Sequence, residues 1–144
     1  MIMTFRWYGK DDPISLRYIR QIPAVKGIVS ALYDVPVGDE WPLEKIAALK
    51  RAITDTDLEL TVIESIPVHE DIKLGLPTRE AFIENYCRSI QNMGSLGIPI
   101  LCYNFMPVFD WMRSDLSFTL ADGSTALSYD HDAIAAIDLN EGVL

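Results

Sequence analysis

No stretch of this sequence reaches the roughly 18 to 20 consecutive apolar residues that a membrane helix needs. Its N-terminus, MIMTFRWYGKDD, lacks the basic-then-apolar order of a signal peptide. The expected compartment is therefore the cytoplasm, with no membrane partner. Positive charge is also scarce: twelve basic residues stand against twenty-one acidic ones, for a net charge of −9. No Lys/Arg cluster forms a stripe to offset this, so a phosphate backbone is repelled and nucleic acid is not an expected partner. Cysteine is limited to Cys87 and Cys102. One falls in a helical pattern and the other in a strand pattern, with no short metal-type spacing between them, and both read as small core hydrophobes.

What the chain does have is apolar content. Hydrophobic residues make up 49% of its 144 positions, and the mean hydropathy is +0.14, which excludes disorder and suffices for one domain with a real core. Four short runs rich in β-branched and aromatic residues read as strands, at 4–9, 25–32, 58–65 and 98–105. The third and fourth are almost continuously apolar in the middle, as strands of a parallel sheet covered on both faces should be.

Helical patterns lie between these runs. DDPISLRYIRQI offers Asp12 as cap and Pro13 in the first turn. WPLEKIAALKRAI puts Pro42 in the first turn and Leu43, Ile46, Ala47, Leu49 and Ile53 on one broad face. PTREAFIENYCRSIQNMG starts with Thr78 as cap, repeats Phe82, Ile83, Tyr86, Cys87, Ile90 and Met93 at helical spacing, and stops at Gly94.

Strict strand–helix alternation implies right-handed parallel crossovers, met by an open doubly wound sheet or an eight-fold barrel. A dinucleotide-binding open sheet should carry G-x-G-x-x-G after its first strand. Here that position reads WYGKDDP, which favours the barrel. A closed barrel needs about 250 residues and eight strands. The fold expected is thus an α/β domain that is the first half of a (β/α)8 TIM barrel, with four β/α units over 1–105 and an extension over 106–144. Within the extension, LSFTLADGSTALSYD signals a β-hairpin around Asp122-Gly123. Phe118 and Tyr129 have no place in a barrel wall, and the hairpin is expected to make subunit contacts in a homo-oligomer.

The active face of a parallel barrel is the C-terminal end of its strands, where the βα loops converge. That singles out RWYG, SALYD, ESIPVHED and YNFMPVFDW. Neighbours in an extended segment point in alternate directions, so His69, Glu70 and Asp71 do not readily surround one metal. His69 alone is a candidate for hydrogen bonding or proton transfer at the mouth, against a reading of the segment as a solvated polar loop. Asn104 and Asp110 sit among Phe105, Met106, Phe109 and Trp111, the mixture expected of a pocket wall. Trp7 can stack on the apolar C–H face of a sugar or be core. Arg6 can pair with a substrate carboxylate or bridge to an acidic neighbour. His131, in YDHDA, reads as surface.

The stretches MTFRWYG, VKGIVSALYDVPVGDEWPLEKI, LELTVIESIPVHEDIKLGLPTR and CYNFMPVFDWMRSDLSFTLADGSTAL resemble the mannonate dehydratases, in order and through most of the chain. The resemblance implies a xylose-isomerase-like barrel and the conversion of D-mannonate to 2-keto-3-deoxy-D-gluconate and water, a hydro-lyase step in hexuronate (glucuronate) catabolism. It also implies a divalent metal, Mn2+ or Fe2+, because removing a proton alpha to a carboxylate creates a dianion that a cation must hold. Members of that family run well past twice this length, and the His, Cys, His and Asp ligands of their metal lie on later strands. The resemblance therefore places no metal ligand in this chain. It carries over half a pocket: His69 and Asn104 as substrate-facing groups, with Trp7 and Asp110 beside them. The competing expectation is a catalytically inactive half-barrel that serves as a binding or oligomerisation module. A barrel enzyme acting on phosphorylated or nucleic-acid substrates is disfavoured by the acidity and by the missing Gly-rich phosphate loop.

Overall fold

The computed structural model describes residues 1–107 and 113–137. They fall into two compact units, Met1–Pro107 and Val108–Leu144. The first unit is built on strands β1 (Met3–Arg6), β2 (Val25–Ser30), β3 (Glu59–Glu64) and β4 (Ile100–Cys102), ordered β1-β2-β3-β4 in one sheet. Every neighbouring pair is parallel, so the sheet is the sequential half of a (β/α)8 barrel that the alternation implies. The strands are shorter than the apolar runs. The ends of those runs leave the ladder to build the loops at the C-terminal edge, where Trp7 N–H still donates to the carbonyl of Val29 at 2.9 Å.

The crossovers depart from the sequence expectation at their starts. Helix α1 is one turn, Leu16–Ile19, and is capped by Ser15, not Asp12. Asp12 instead accepts from the amides of Tyr8 (2.7 Å) and Ile14 (2.8 Å), bracing the loop that leaves β1. Helix α2 (Leu43–Thr54) has Pro42 at its N-cap, one position earlier than expected. An additional turn, α3 (Glu70–Lys73), forms where the sequence suggested a loop. Helix α4 (Arg79–Ser95) has Thr78 at its N-cap, but the hydroxyl bonds the Asp71 carboxylate and makes no capping bond. It also continues one residue past Gly94.

The core lies between the sheet and the helices: Ile28, Leu60 and Ile63 from the strands, with Ile19, Trp41, Ile46, Ile53 and Met93. Ser89 of α4 is fully buried and satisfied twice, accepting from the Trp41 amide at 2.9 Å and donating to the carbonyl of Asn85 at 2.8 Å. Ser89→Ala would leave the amide of the equally buried Trp41 without this partner, at a cost of about 1–3 kcal/mol. We expect that loss in the urea midpoint with an unchanged m-value. An unchanged midpoint would mean that the amide finds another acceptor.

The opposite face of the sheet, which a closed barrel would enclose, carries Thr4, Arg6, Val29, Val62, Glu64 and Ile100, all half-buried or exposed. On α4 the expected apolar face divides. Met93 is buried, whereas Ile83, Cys87 and Ile90 are exposed. The helix therefore has one stripe against the core and a second that this unit leaves uncovered.

In the second unit, β5 (Asp115–Thr119) pairs antiparallel with β6 (Thr125–Ser128), as the Asp122-Gly123 turn implies. The turn is closed by Leu120 N–H donating to Ser124 O at 2.8 Å. Asp122 accepts from the Ser124 hydroxyl and amide, which holds its carboxyl below the usual range. Helix α5 (His131–Ala135) follows, capped by Asp130. Phe118 and Tyr129 are both exposed.

Candidate functional site

Alternation at the end of β1 sends Trp7 and Arg6 to opposite sides. Trp7 is 8% exposed and belongs to the core between sheet and helices. Arg6 lies on the barrel-inward face. Its Nη1 is 2.9 Å from Oε2 of Glu64, at the end of β3, and its Nη2 donates to the Glu64 carbonyl at 2.9 Å. The pair spans β2, whose facing position is Val29, small enough to let the two long side chains meet over it. The guanidinium also lies over the Tyr8 ring, 5.0 Å from its centroid. Its pKa is raised: burial opposes the charge, but Tyr33, Glu64 and Tyr8 together outweigh burial. Arg6 thus bridges to an acidic neighbour, the second of its two sequence readings.

Glu64 opens the segment ESIPVHED, in which the sequence draws attention to the HED cluster at the other end. The available signal is positional: Glu64 ends β3 two residues after Val62, and residues two apart on a strand share a face, which the sheet turns inward. Its side chain is about half exposed (47%), and only Oε2 is taken by Arg6.

His69 is ordered by two contacts. Its Nδ1 accepts from the Asp71 amide at 3.1 Å, which makes it the N-cap of α3. That bond uses the Nδ1 lone pair, so the neutral ring carries its proton on Nε2. The ring stacks on Phe82 of α4, centroids 3.6 Å apart and planes 12° from parallel. The Asp71 carboxylate lies 3.5 Å from Nδ1 and would attract the ring only with a proton on that nitrogen, which the capping bond leaves bare. The expected loop is therefore a capped turn locked by its own histidine. Gly38, after β2, completes the enclosure: it has φ +93°, and a Cβ there would stand 2.8 Å from His69 Cδ2 and 2.7 Å from the Phe82 ring. Asn85 fixes that segment by donating to the Gly38 carbonyl at 2.9 Å.

Asn104 is half-buried in the loop after β4, and Asp110 lies outside the described residues. His131 is exposed, its Nδ1 3.1 Å from the Tyr129 hydroxyl. No three His, Cys, Asp or Glu side chains converge to hold a metal ion among the described residues. The inward face thus carries a carboxylate paired with a guanidinium, and the loop after β3 carries an imidazole oriented on a capped turn.

Known proteins match this chain along nearly its whole length. The family model described as D-mannonate dehydratase (UxuA) matches residues 1–143. A mannonate dehydratase of Streptococcus suis (strain 05ZYH33) is 60% identical over 138 residues, covering 96% of this chain and 38% of that relative. One from Streptococcus uberis (strain ATCC BAA-854 / 0140J) is 56% identical over 144 residues, all of this chain and 41% of its own length. The crystal structure of mannonate dehydratase from Streptococcus suis serotype 2 superposes with a TM-score of 0.93 at 58% identity, over 99% of this chain and 41% of that one. The chain thus spans about two-fifths of the length of the relatives it matches.

Proposed function

This chain belongs to the D-mannonate dehydratase (UxuA) family, and from that premise we propose that it forms the N-terminal half of the active-site barrel of a hydro-lyase that converts D-mannonate to 2-keto-3-deoxy-D-gluconate. The observation that carries the reading is the Arg6–Glu64 pair on the inward face at the C-terminal ends of β1 and β3, where barrel enzymes hold their substrates. A sugar acid presents a row of hydroxyl donors and one carboxylate. Glu64 can accept from the hydroxyls through Oε1, and its charge turns the substrate's carboxylate to another part of the mouth. Arg6 fixes the Glu64 rotamer, so that little side-chain freedom is lost on binding. His69 and Asn104 face the substrate from the loops after β3 and β4. The divalent cation, Mn2+ or Fe2+, is held by residues beyond this chain. The homo-oligomer belongs to the same reading, with the exposed Leu116, Phe118, Leu127 and Tyr129 of the hairpin as its contact surface.

The test uses these residues extended through the rest of the barrel with the corresponding part of the Streptococcus suis enzyme. Product formation from D-mannonate is followed with added Mn2+. Glu64→Gln keeps the shape but removes the charge, and we expect kcat/KM to fall by about 10- to 100-fold, as for a lost charge-assisted hydrogen bond. At position 69 two variants separate cap from chemistry. Asn can still accept from the Asp71 amide, whereas Ala cannot and should destabilise α3 by about 1 kcal/mol. His69→Asn keeps the cap but loses the Phe82 stack, so its melting temperature falls less than that of His69→Ala; if His69 faces substrate, its turnover also falls when measured well below that melting temperature. Full turnover in His69→Asn would leave the histidine with its capping role alone.

A further inference from the structure

The Arg6–Glu64 pair presents its two charges unevenly. Glu64 is the more exposed partner, 47% against 33% for the Arg6 side chain, and the pair leaves its Oε1 unused. The guanidinium is occupied: Nε is buried, and Nη1 and Nη2 lie 2.9 Å from Oε2 and from the carbonyl of Glu64. Val29 and Val62, the neighbours on the inward face, carry no charge. A ligand that arrives at the ends of β1 and β3 therefore meets a carboxylate oxygen first.

An ionised carboxylate accepts hydrogen bonds and cannot donate them. It suits a hydroxyl and repels a second carboxylate, and the repulsion grows where a closed mouth excludes water. An aldonic acid such as D-mannonate has one carboxylate, at C1, and an uncharged hydroxymethyl group at C6. With the cation held by the rest of the barrel, C1 lies on that side and the C6 end reaches Glu64. Oxidation of C6 to a carboxylate gives the aldaric acid D-mannarate, whose two ends are equivalent by two-fold symmetry. Either orientation of the diacid sets a carboxylate against Glu64.

We propose that Glu64 determines the substrate class: the site takes an aldonic acid with its uncharged end at Glu64 and excludes the matching aldaric acid. The inference rests on the proposed function and adds to it the selection against a second carboxylate. The elimination is the same for either acid. The C2–H and C3–O bonds break, water leaves, and the resulting enol becomes the 2-keto acid, with no oxidant or reductant involved.

Glu64→Gln inverts what the pair presents. The amide oxygen can still accept from Nη1 and turn the NH2 outward as a donor. Arg6 keeps its bond to the backbone carbonyl at position 64 and its place over the Tyr8 ring, so the guanidinium stays put with its charge no longer neutralised. A carboxylate at C6 is then attracted where it was repelled.

The experiment uses the extended protein with added Mn2+ and measures kcat/KM for D-mannonate and D-mannarate separately. Where the diacid is not turned over, its inhibition constant against D-mannonate reads its binding. We expect the ratio of diacid to monoacid to rise by at least about 100-fold in Glu64→Gln. Glu44→Gln removes the same charge from the exposed start of α2 and should leave the ratio within about twofold, which separates a local effect from that of the net charge of −9. A third measurement needs no variant. The 6-amide of D-mannarate has the shape of the diacid without the second charge, and it should inhibit the wild type at least about tenfold better than the diacid does. An unchanged ratio in Glu64→Gln, with D-mannonate still dehydrated by the wild type, overturns the specificity and leaves the proposed function standing. An equal rise in Glu44→Gln, or equal inhibition by the diacid and its amide, overturns it in the same way. A folded extended protein that dehydrates no D-mannonate overturns both readings together.

Discussion

The 144-residue chain alone is expected to form no detectable 2-keto-3-deoxy-D-gluconate from D-mannonate and to bind Mn2+ weakly, whereas the same residues extended through the barrel turn the substrate over. Two features lead to this. The described residues bring no three metal-ligating side chains together, and under the proposed function the cation's ligands come from the rest of the barrel. The inward face is also open: the Arg6 and Glu64 side chains are 33% and 47% exposed. In that setting their attraction is screened by water and worth about 1 kcal/mol or less. Enclosure by the other half of the barrel would exclude that water and hold substrate against the pair, and positioning of this kind accounts for effective molarities on the order of 10^5 M or more. The measurement is product formation by both proteins at matched concentration with added Mn2+, with metal affinity from calorimetry. Turnover by the chain alone within about tenfold of the extended protein would overthrow the claim that the essential site is completed elsewhere.

The second large effect is on folding. Gly38→Ala is expected to destabilise the chain by about 2–4 kcal/mol, the sum of left-handed backbone strain and the displacement of packed rings. The new methyl group would stand well inside contact distance of both His69 and Phe82, which are stacked and cannot both retreat without separating. Gly97→Ala is the control. Gly97 also has positive φ (+70°), but nothing lies within 4 Å of its Cβ position, so it bears the backbone cost alone, about 1–2 kcal/mol. Urea unfolding of the two variants should therefore separate by the packing component. In the extended protein Gly38→Ala should also lower turnover, because it moves the ring whose place the stack sets. Equal destabilisation by both substitutions would show that the stack yields without cost.

The order of elements was legible because it depends on local chemistry. Val25–Ser30 and Glu59–Glu64 are β-branched, apolar runs that form strands, and 43–54 has a helical apolar face entered through proline. Alternation of the two, without a Gly-rich first turn, was enough to imply parallel crossovers and half a barrel. The hairpin followed from Asp122-Gly123 between alternating runs. Caps were less legible. Asp12, Ser15 and Thr78 are all able to cap, and which of them does so depends on where the preceding chain lies in space.

The site was decided by tertiary structure. Periodicity says which residues share a face, but not which face finds a partner, since that depends on an element elsewhere in the chain. Trp7 and Arg6 could each have faced the mouth. The helices cover the Trp7 side, so Arg6 is left to meet Glu64 across β2, a contact between residues 58 apart that no local pattern encodes. His69 looked like one member of a polar cluster, and only the approach of α4 and Gly38 turned it into a capped, stacked ring. The Ile83, Cys87 and Ile90 stripe read as core on spacing alone. In this chain it stays exposed, because burial requires a second surface and spacing supplies only the first.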